Sequence, residues 1–107
     1  MHGDHLGEFE QIVLLAVLRL GDEAYGVPIR REIEKRTGRR VTIGALYGTL
    51  ARLERKGYVK SWSGDPTPER GGRARKYFRV ERIGLRTLYK SRNALEAMWE
   101  GLGTHES

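Results

Sequence analysis

The stretch TIGALYGTLARLERKG, residues 42–57, has the spacing of a helix with two contrasting faces. One face is apolar, because isoleucine or leucine recurs every three or four positions, at Ile43, Leu46, Leu50 and Leu53. The opposite face carries Gly44 and Gly48 one turn apart, and each glycine costs a helix about 1 kcal/mol relative to alanine. A helix that is smooth opposite its core can approach another surface closely. The pattern therefore predicts that residues 42–56 form a contact helix.

That outer face fits the major groove of DNA. At about 100° per residue, it is small in its first two turns and basic in its last. The groove is about 12 Å wide and admits a helix that is not bulky. The base-edge candidates are Thr42, Gly44, Ala45, Gly48 and Thr49, with the glycines contacting bases through their backbone. The phosphate candidates are Tyr47, Arg52 and Arg55. In the alternative interpretations, the glycines meet another helix of the same protein and Tyr47 lies at the core edge.

The segment before this helix completes a helix-turn-helix. The pattern of residues 22–38 predicts a helix from Tyr25 or Val27 to Arg36, ended by a glycine. Thr42 can cap the next helix with its side-chain oxygen. Two short helices joined by a tight turn that contains glycine are typical of a helix-turn-helix.

A β-hairpin follows. Residues 58–62 (YVKSW) and 73–80 (RARKYFRV) alternate as strands do, and a loop rich in glycine and proline joins them. Three helices followed by a hairpin are typical of a winged helix-turn-helix, a mainly α fold with one small hairpin. The phosphate candidates on this wing are Arg73, Arg75 and Lys76. The alternative is a charged hairpin that is simply solvated.

The two ends of the chain indicate a dimer. Residues 8–20 predict a helix that is apolar nearly all round, which favours burial on more than one side. The last helix has apolar or long side chains at heptad steps, as in helices that pack on other helices. The predicted dimer residues are Leu14, Leu18, Leu85, Leu88, Arg92, Leu95, Trp99 and Leu102. The alternative is an ordinary amphipathic helix on its own core. We expect a DNA-binding domain at 1–80 and a dimerisation helix and tail at 81–107.

The charge is concentrated in the middle of the chain. The net charge is +6 over 107 residues, yet residues 28–60 alone carry ten Lys and Arg against three acids. A basic block between neutral or acidic ends favours a polyanionic partner, here double-stranded DNA. No cysteine is present, and no apolar run is long enough to span a bilayer. We therefore expect a cytoplasmic protein without membrane contact.

The sequence also resembles the PadR-like transcriptional regulators. Three motifs occur in order at the expected distances: Tyr25-Gly26, Leu46-Tyr47 and the Gly-Gly-Arg of the wing. The matching stretches are GEFEQIVLLAVLRLGDEAYGVPIRREIEKRTG, TIGALYGTLARLERKGYVKSW, GDPTPERGGRARKYFRV and ALEAMW, within residues 7–102. One departure is Glu81 to Gly84, where members of the family usually have Thr-Pro-x-Gly before the last helix.

The resemblance implies a dimeric winged-helix repressor. Residues 42–56 would be its recognition helix, and the last helix would pack on the first helix of a partner subunit. Some members of the family sense small aromatic molecules near the dimer interface. Trp99 is therefore a possible contact for a small aromatic effector, although interface packing also explains a tryptophan there.

Other function classes find less support in the sequence. The sequence contains no cysteine nucleophile and no glycine-rich nucleotide-binding loop. We therefore expect that the protein is not an enzyme and that it binds no cofactor and no metal. His2, His5 and His105 lie at the ends, where HGDH could hold a stray ion or simply be a loose tail. Two other functions remain open: a winged helix that contacts an acidic protein, and a small-molecule sensor with a secondary DNA role.

Overall fold

The computed structural model describes residues 6–64 and 75–103. The elements in chain order are α1 (Glu8–Leu20), a short 3-10 turn (Gly21–Glu23), α2 (Gly26–Thr37), α3 (Ile43–Arg55), β1 (Val59–Ser63), β2 (Lys76–Val80) and α4 (Arg82–Trp99). This order confirms the predicted fold class, which is mainly α with one hairpin in a winged helix-turn-helix arrangement.

Local signals set the ends of the helices around the turn. Gly38 ends α2 in the left-handed conformation (φ 74°), which glycine adopts without a steric penalty. The Thr42 hydroxyl then accepts a hydrogen bond of 3.1 Å from the Ala45 N–H and caps α3. The predicted cap is thus confirmed, and α2 extends one residue beyond its predicted end.

The core lies between α1, α2, α3 and the hairpin. Leu46, Leu50 and Leu53 of α3 have no exposed surface, as predicted for its apolar face. Burial of each such side chain contributes about 1.5–3 kcal/mol, so α3 is fixed by this face. The opposite face of α3 consequently remains at the surface of the molecule.

The hairpin is attached to the connection between α1 and α2. Val59 pairs with Val80 and Ser63 with Lys76 in the antiparallel ladder. The Phe78 N–H donates a hydrogen bond of 2.9 Å to the Ala24 carbonyl, which fixes the base of the wing against the helical core. The predicted alternation of β2 is confirmed, since Phe78 is buried. Arg73 lies outside the described residues, so its predicted role stays a prediction.

The helix α4 leaves the core halfway along its length. Thr87 and Leu88 are buried, whereas every residue from Arg92 to Trp99 is exposed. Leu102 lies beyond the end of the helix, in the turn that follows it. The first half of α4 therefore belongs to the core of the predicted DNA-binding domain. Only the second half of α4 projects from that core, as expected for a separate dimerisation element.

Candidate nucleic-acid interface

The outer face of α3 is open over its first two turns. A Cβ built at Gly44 or at Gly48 would meet nothing within 4 Å, and Ala45 and Ala51 beside them are exposed. The two glycines therefore do not pack against another helix of the described chain. Within one protomer, these residues leave a smooth helical surface on which the backbone itself is accessible.

Thr49 does not belong to this open face. It is only 3 % exposed, and its hydroxyl accepts a hydrogen bond from Arg52. Thr49 lies about 40° around the helix from Leu53, so it falls at the edge of the buried face. The predicted base contact of Thr49 is corrected accordingly. In contrast, Ile43 belongs to the predicted core face but is exposed. An apolar side chain at this position of the helix surface is of the type that contacts thymine methyl groups.

Tyr47 lies at the edge of the core and remains partly exposed, so its predicted phosphate contact stays a prediction. Its side chain is 40 % exposed, and its hydroxyl packs against Gly26 at the start of α2. A Cβ at residue 26 would collide with that hydroxyl and lie 2.9 Å from the ring carbon Cζ. The Tyr25-Gly26 and Leu46-Tyr47 motifs thus meet in space, and this contact fixes the Tyr47 ring beside the open face.

The C-terminal end of α3 carries three cations in different environments. Arg55 is exposed and has no ion-pair partner among residues 6–64 and 75–103. Arg52 and Lys56 both approach the carboxylate of Glu10 on α1, at 3.4 Å and 3.0 Å. Of these three cations, Arg55 is therefore the one that no acid of the described residues pairs with, and its side chain faces solvent.

Glu10 is an almost buried carboxylate at the start of α1. Its Oε1 accepts a hydrogen bond of 2.9 Å from the Gly7 N–H, as in a capping box. Burial alone would raise the pKa of Glu10. This effect is outweighed by the hydrogen bonds from Gly7 and Lys56, by the positive charge of Lys56 and by the hydrogen bond from Arg52. The pKa of Glu10 is consequently lowered below its ordinary value. The carboxylate stays charged at neutral pH and holds its two cations.

A second cationic group lies at the turn before α3. Arg30, Arg39 and Arg40 line an open depression there together with Thr42. Arg39 forms a surface ion pair of 2.7 Å with Glu8. Arg40 has no ion-pair partner in the described part of the chain. These arginines were not among the predicted contacts, although the excess of positive charge in residues 28–60 includes them.

The base of the wing is a ladder of aromatic rings and arginines. The Arg75 guanidinium lies 4.4 Å from the centre of the Tyr25 ring, and Tyr25 is 5.4 Å from Tyr77. Tyr77 stacks on Trp62 at 5.9 Å. Arg75, a predicted phosphate contact, is thus oriented by Tyr25, whereas the predicted contact Lys76 is exposed on the opposite face of the strand.

An apolar groove separates α1 from α4. Its volume is about 430 Å³, and its lining includes the predicted dimer residues Leu18, Leu85, Leu88, Arg92, Leu95 and Trp99. Leu15 lines it as well and was not predicted, because the apolar pattern of α1 covers its whole circumference. Leu14 is fully buried within the protomer core and therefore cannot contact a partner at the surface. That prediction is corrected.

No helix within residues 6–64 and 75–103 has both the length and the apolarity that a bilayer span requires. In the same ranges, no three His, Cys, Asp or Glu residues come together as metal ligands. The histidines of both ends lie outside the described residues.

Comparisons with known proteins agree on one class. Residues 14–90 match the family model of the transcriptional regulator PadR-like family. A transcriptional regulator from Clostridium thermocellum is 27% identical over 87% of both chains, with a TM-score of 0.71. A PadR family transcriptional regulator from Eggerthella lenta DSM 2243 is 27% identical over 90% of this chain and 83% of its own, with a TM-score of 0.68.

A third solved structure is similar in fold. It is a PadR family transcription regulator from Clostridium difficile R20291, 23% identical over 84% of this chain and 90% of its own, with a TM-score of 0.68. A search of curated proteins gives no match.

Proposed function

The chain belongs to the transcriptional regulator PadR-like family and is a DNA-binding regulator, not an enzyme; from that premise we propose that it is a homodimeric repressor of a palindromic operator. The observation that carries the proposal is the open face of α3, where Gly44 and Gly48 have free space above them. A face of this kind allows the helix backbone to approach base edges in the major groove.

The charges around α3 support contacts to the DNA backbone on both sides of the groove. Arg55 lies at the C-terminal end of the helix and Arg40 just before its N-terminal end. Arg75 and Lys76 extend the same charge onto the wing. Phosphate contacts of this kind fix the register of the helix, while Thr42, Ala45 and the backbone at the glycines read the bases.

The exposed groove supports a homodimer. The radius of gyration is 15.8 Å, whereas a compact chain of this length has about 13 Å. The second half of α4, which projects from the core, exposes Leu95, Met98 and Trp99 to solvent. In our proposal, α4 of each subunit packs in the groove between α1 and α4 of the other.

Two-fold symmetry then determines the form of the operator. Two recognition helices related by a dyad read an inverted repeat with half-sites about 10 bp apart, or a multiple of that spacing. We propose in addition that a small aromatic effector binds beside Trp99, which is 61 % exposed in the protomer and lines one part of the groove, in space that the partner's α4 leaves unfilled.

The decisive experiment is selection of bound sites from a random duplex pool at near-physiological salt. We expect a palindromic consensus, and the Gly48→Glu variant should recover no consensus in the same selection. A wild-type protein that enriches no sequence would contradict the proposal and favour a protein-contact module. Placing the consensus between a promoter and a reporter gene then tests repression, since a reporter signal that rises with the protein would identify an activator.

A further inference from the structure

The Glu10 carboxylate joins the first turn of α1 to the end of α3, across 42 and 46 residues of sequence. Its Oε2 accepts hydrogen bonds from Lys56 Nζ at 3.0 Å and from Arg52 Nε at 3.4 Å. Glu10 is only 8 % exposed, whereas the side chains of Arg52 and Lys56 are 49 % and 32 % exposed, so solvent weakens these contacts only in part. The Arg52 guanidinium is held a second time, because its Nη2 donates to the Thr49 hydroxyl at 3.2 Å.

These contacts reduce the charge that α3 offers to DNA phosphates. Of the three cations at the end of the helix, Arg52 and Lys56 share one carboxylate, and Arg55 has no partner within the described ranges. Free lysines and arginines bind phosphates of any sequence, and this binding supplies most non-specific affinity. A cation that is paired with a nearly buried carboxylate contributes less to non-specific affinity for phosphates. Its side chain is also less able to adjust to the position of the DNA backbone.

We propose that Glu10 is a specificity-determining residue: it weakens binding of α3 to phosphates in general, so that affinity depends on the fit of the open face to the bases. The inference rests on the proposed function, because it concerns how the same surface separates operator from other DNA. Its effect is a larger ratio of operator to random-duplex affinity, which is the quantity that decides occupancy in a genome.

The test compares the full-length wild-type chain with Glu10→Gln on two duplexes, the selected consensus and a random sequence of equal length. Glutamine keeps the size of the side chain and an acceptor for the Gly7 N–H, but it releases the two cations. We expect random-duplex affinity to rise about two- to fivefold, since that is the range of one partly exposed charge pair. The slope of log K against log salt should become steeper by about 1 to 2, and the operator-to-random ratio should fall.

Two further variants separate this effect from general charge and from misfolding. Glu32→Gln removes the same charge from the Glu32–Arg36 pair of α2 and should leave the ratio unchanged. Glu10→Asp keeps the charge and should retain most of the wild-type ratio. If Glu10→Gln is poorly folded by circular dichroism, Lys56→Gln serves instead and should lower random-duplex affinity by less than Arg55→Gln does.

Each outcome has a definite meaning. An unchanged ratio and slope in Glu10→Gln, or an equal rise in Glu32→Gln, would overturn the role of Glu10 while leaving the regulator intact. A wild-type chain that prefers no duplex would overturn the proposed function itself.

Discussion

Gly84, in the first turn of α4, packs directly on the main chain of Tyr58. A Cβ at residue 84 would lie 3.1 Å from both the Cα and the carbonyl carbon of Tyr58 and closer still to its carbonyl oxygen. The Glu81 N–H donates a hydrogen bond of 2.8 Å to that same oxygen. The start of α4 is therefore fixed by backbone contact, although its sequence lacks the threonine and proline usual in the family.

Alanine at residue 84 should destabilise the protein. The contact atoms are backbone and cannot move cheaply, so we expect Gly84→Ala to lower the free energy of unfolding by about 1–3 kcal/mol in urea titrations. Gly48→Ala is the matched control, because its Cβ meets open space and alanine favours a helix. That variant should be about 0.5–1 kcal/mol more stable than wild type. Equal effects of the two substitutions would contradict the close packing of Gly84.

A bulky charge on the open face should abolish DNA binding. We expect Gly48→Glu to lose operator affinity in a gel-shift or fluorescence titration, because in the proposed complex the new carboxylate would face base edges and phosphates. Its circular dichroism and melting temperature should stay near those of the wild type, since residue 48 makes no core contact. A folded variant with normal operator binding would exclude this face from the interface.

Removal of Arg55, which has no ion-pair partner among residues 6–64 and 75–103, should weaken binding to all duplexes alike. Arg55→Gln is expected to reduce the slope of log K against log salt by about 1, as for one lost phosphate contact. Arg86→Gln is a control of equal charge on α4, outside the elements proposed to contact DNA. A slope equal to that of the wild type would remove Arg55 from the contact set.

A charge in the groove should separate the subunits. Leu95 lines the groove, so Leu95→Arg should shift the sedimentation-equilibrium mass from dimer towards monomer and weaken operator binding with it. Ile83→Arg is the control, because Ile83 is an exposed apolar residue of the same helix that does not line the groove. A wild-type monomer at micromolar concentration, or a fully dimeric Leu95→Arg, would argue against this interface.

The stability due to Glu10 should depend on pH in one direction. Because the pKa of Glu10 is lower in the folded protein than its ordinary value of 4.5, its contribution is fully present above that value. The contribution is lost as the pH falls through the folded pKa. The difference in unfolding free energy between wild type and Glu10→Gln should be constant from about pH 7 to 5 and shrink below about 4. A difference that grows on acidification would contradict the assignment.

Much of the fold was predictable from local patterns. The leucine spacing of α3, the cap at Thr42 and the glycine at the end of α2 each have a local physical cause, and all are confirmed. The alternation predicted for β2 is also present, since Phe78 is buried between Tyr77 and Arg79, which are not. Periodicity assigns the middle of each face well, because those residues point straight at the core or straight at solvent.

The edges of the faces needed the tertiary structure. Thr49 and Ile43 were placed on the wrong sides, since an edge residue is buried or exposed according to which neighbour covers it. The prediction of Leu14 as a dimer contact was wrong for a related reason. Because α1 is apolar nearly all round, its sequence does not show which of its faces packs in the core.

The sequence by itself determined a helix-turn-helix with a smooth, cationic recognition helix, because helical period and charge are written along a single segment. Only the tertiary structure decided that Arg52 and Lys56 are paired, by bringing Glu10 of α1 to both of them. It also brought Tyr47 to Gly26 and Gly84 to Tyr58. These contacts join residues far apart in the chain, and their partners depend on how the helices pack, which no local pattern records.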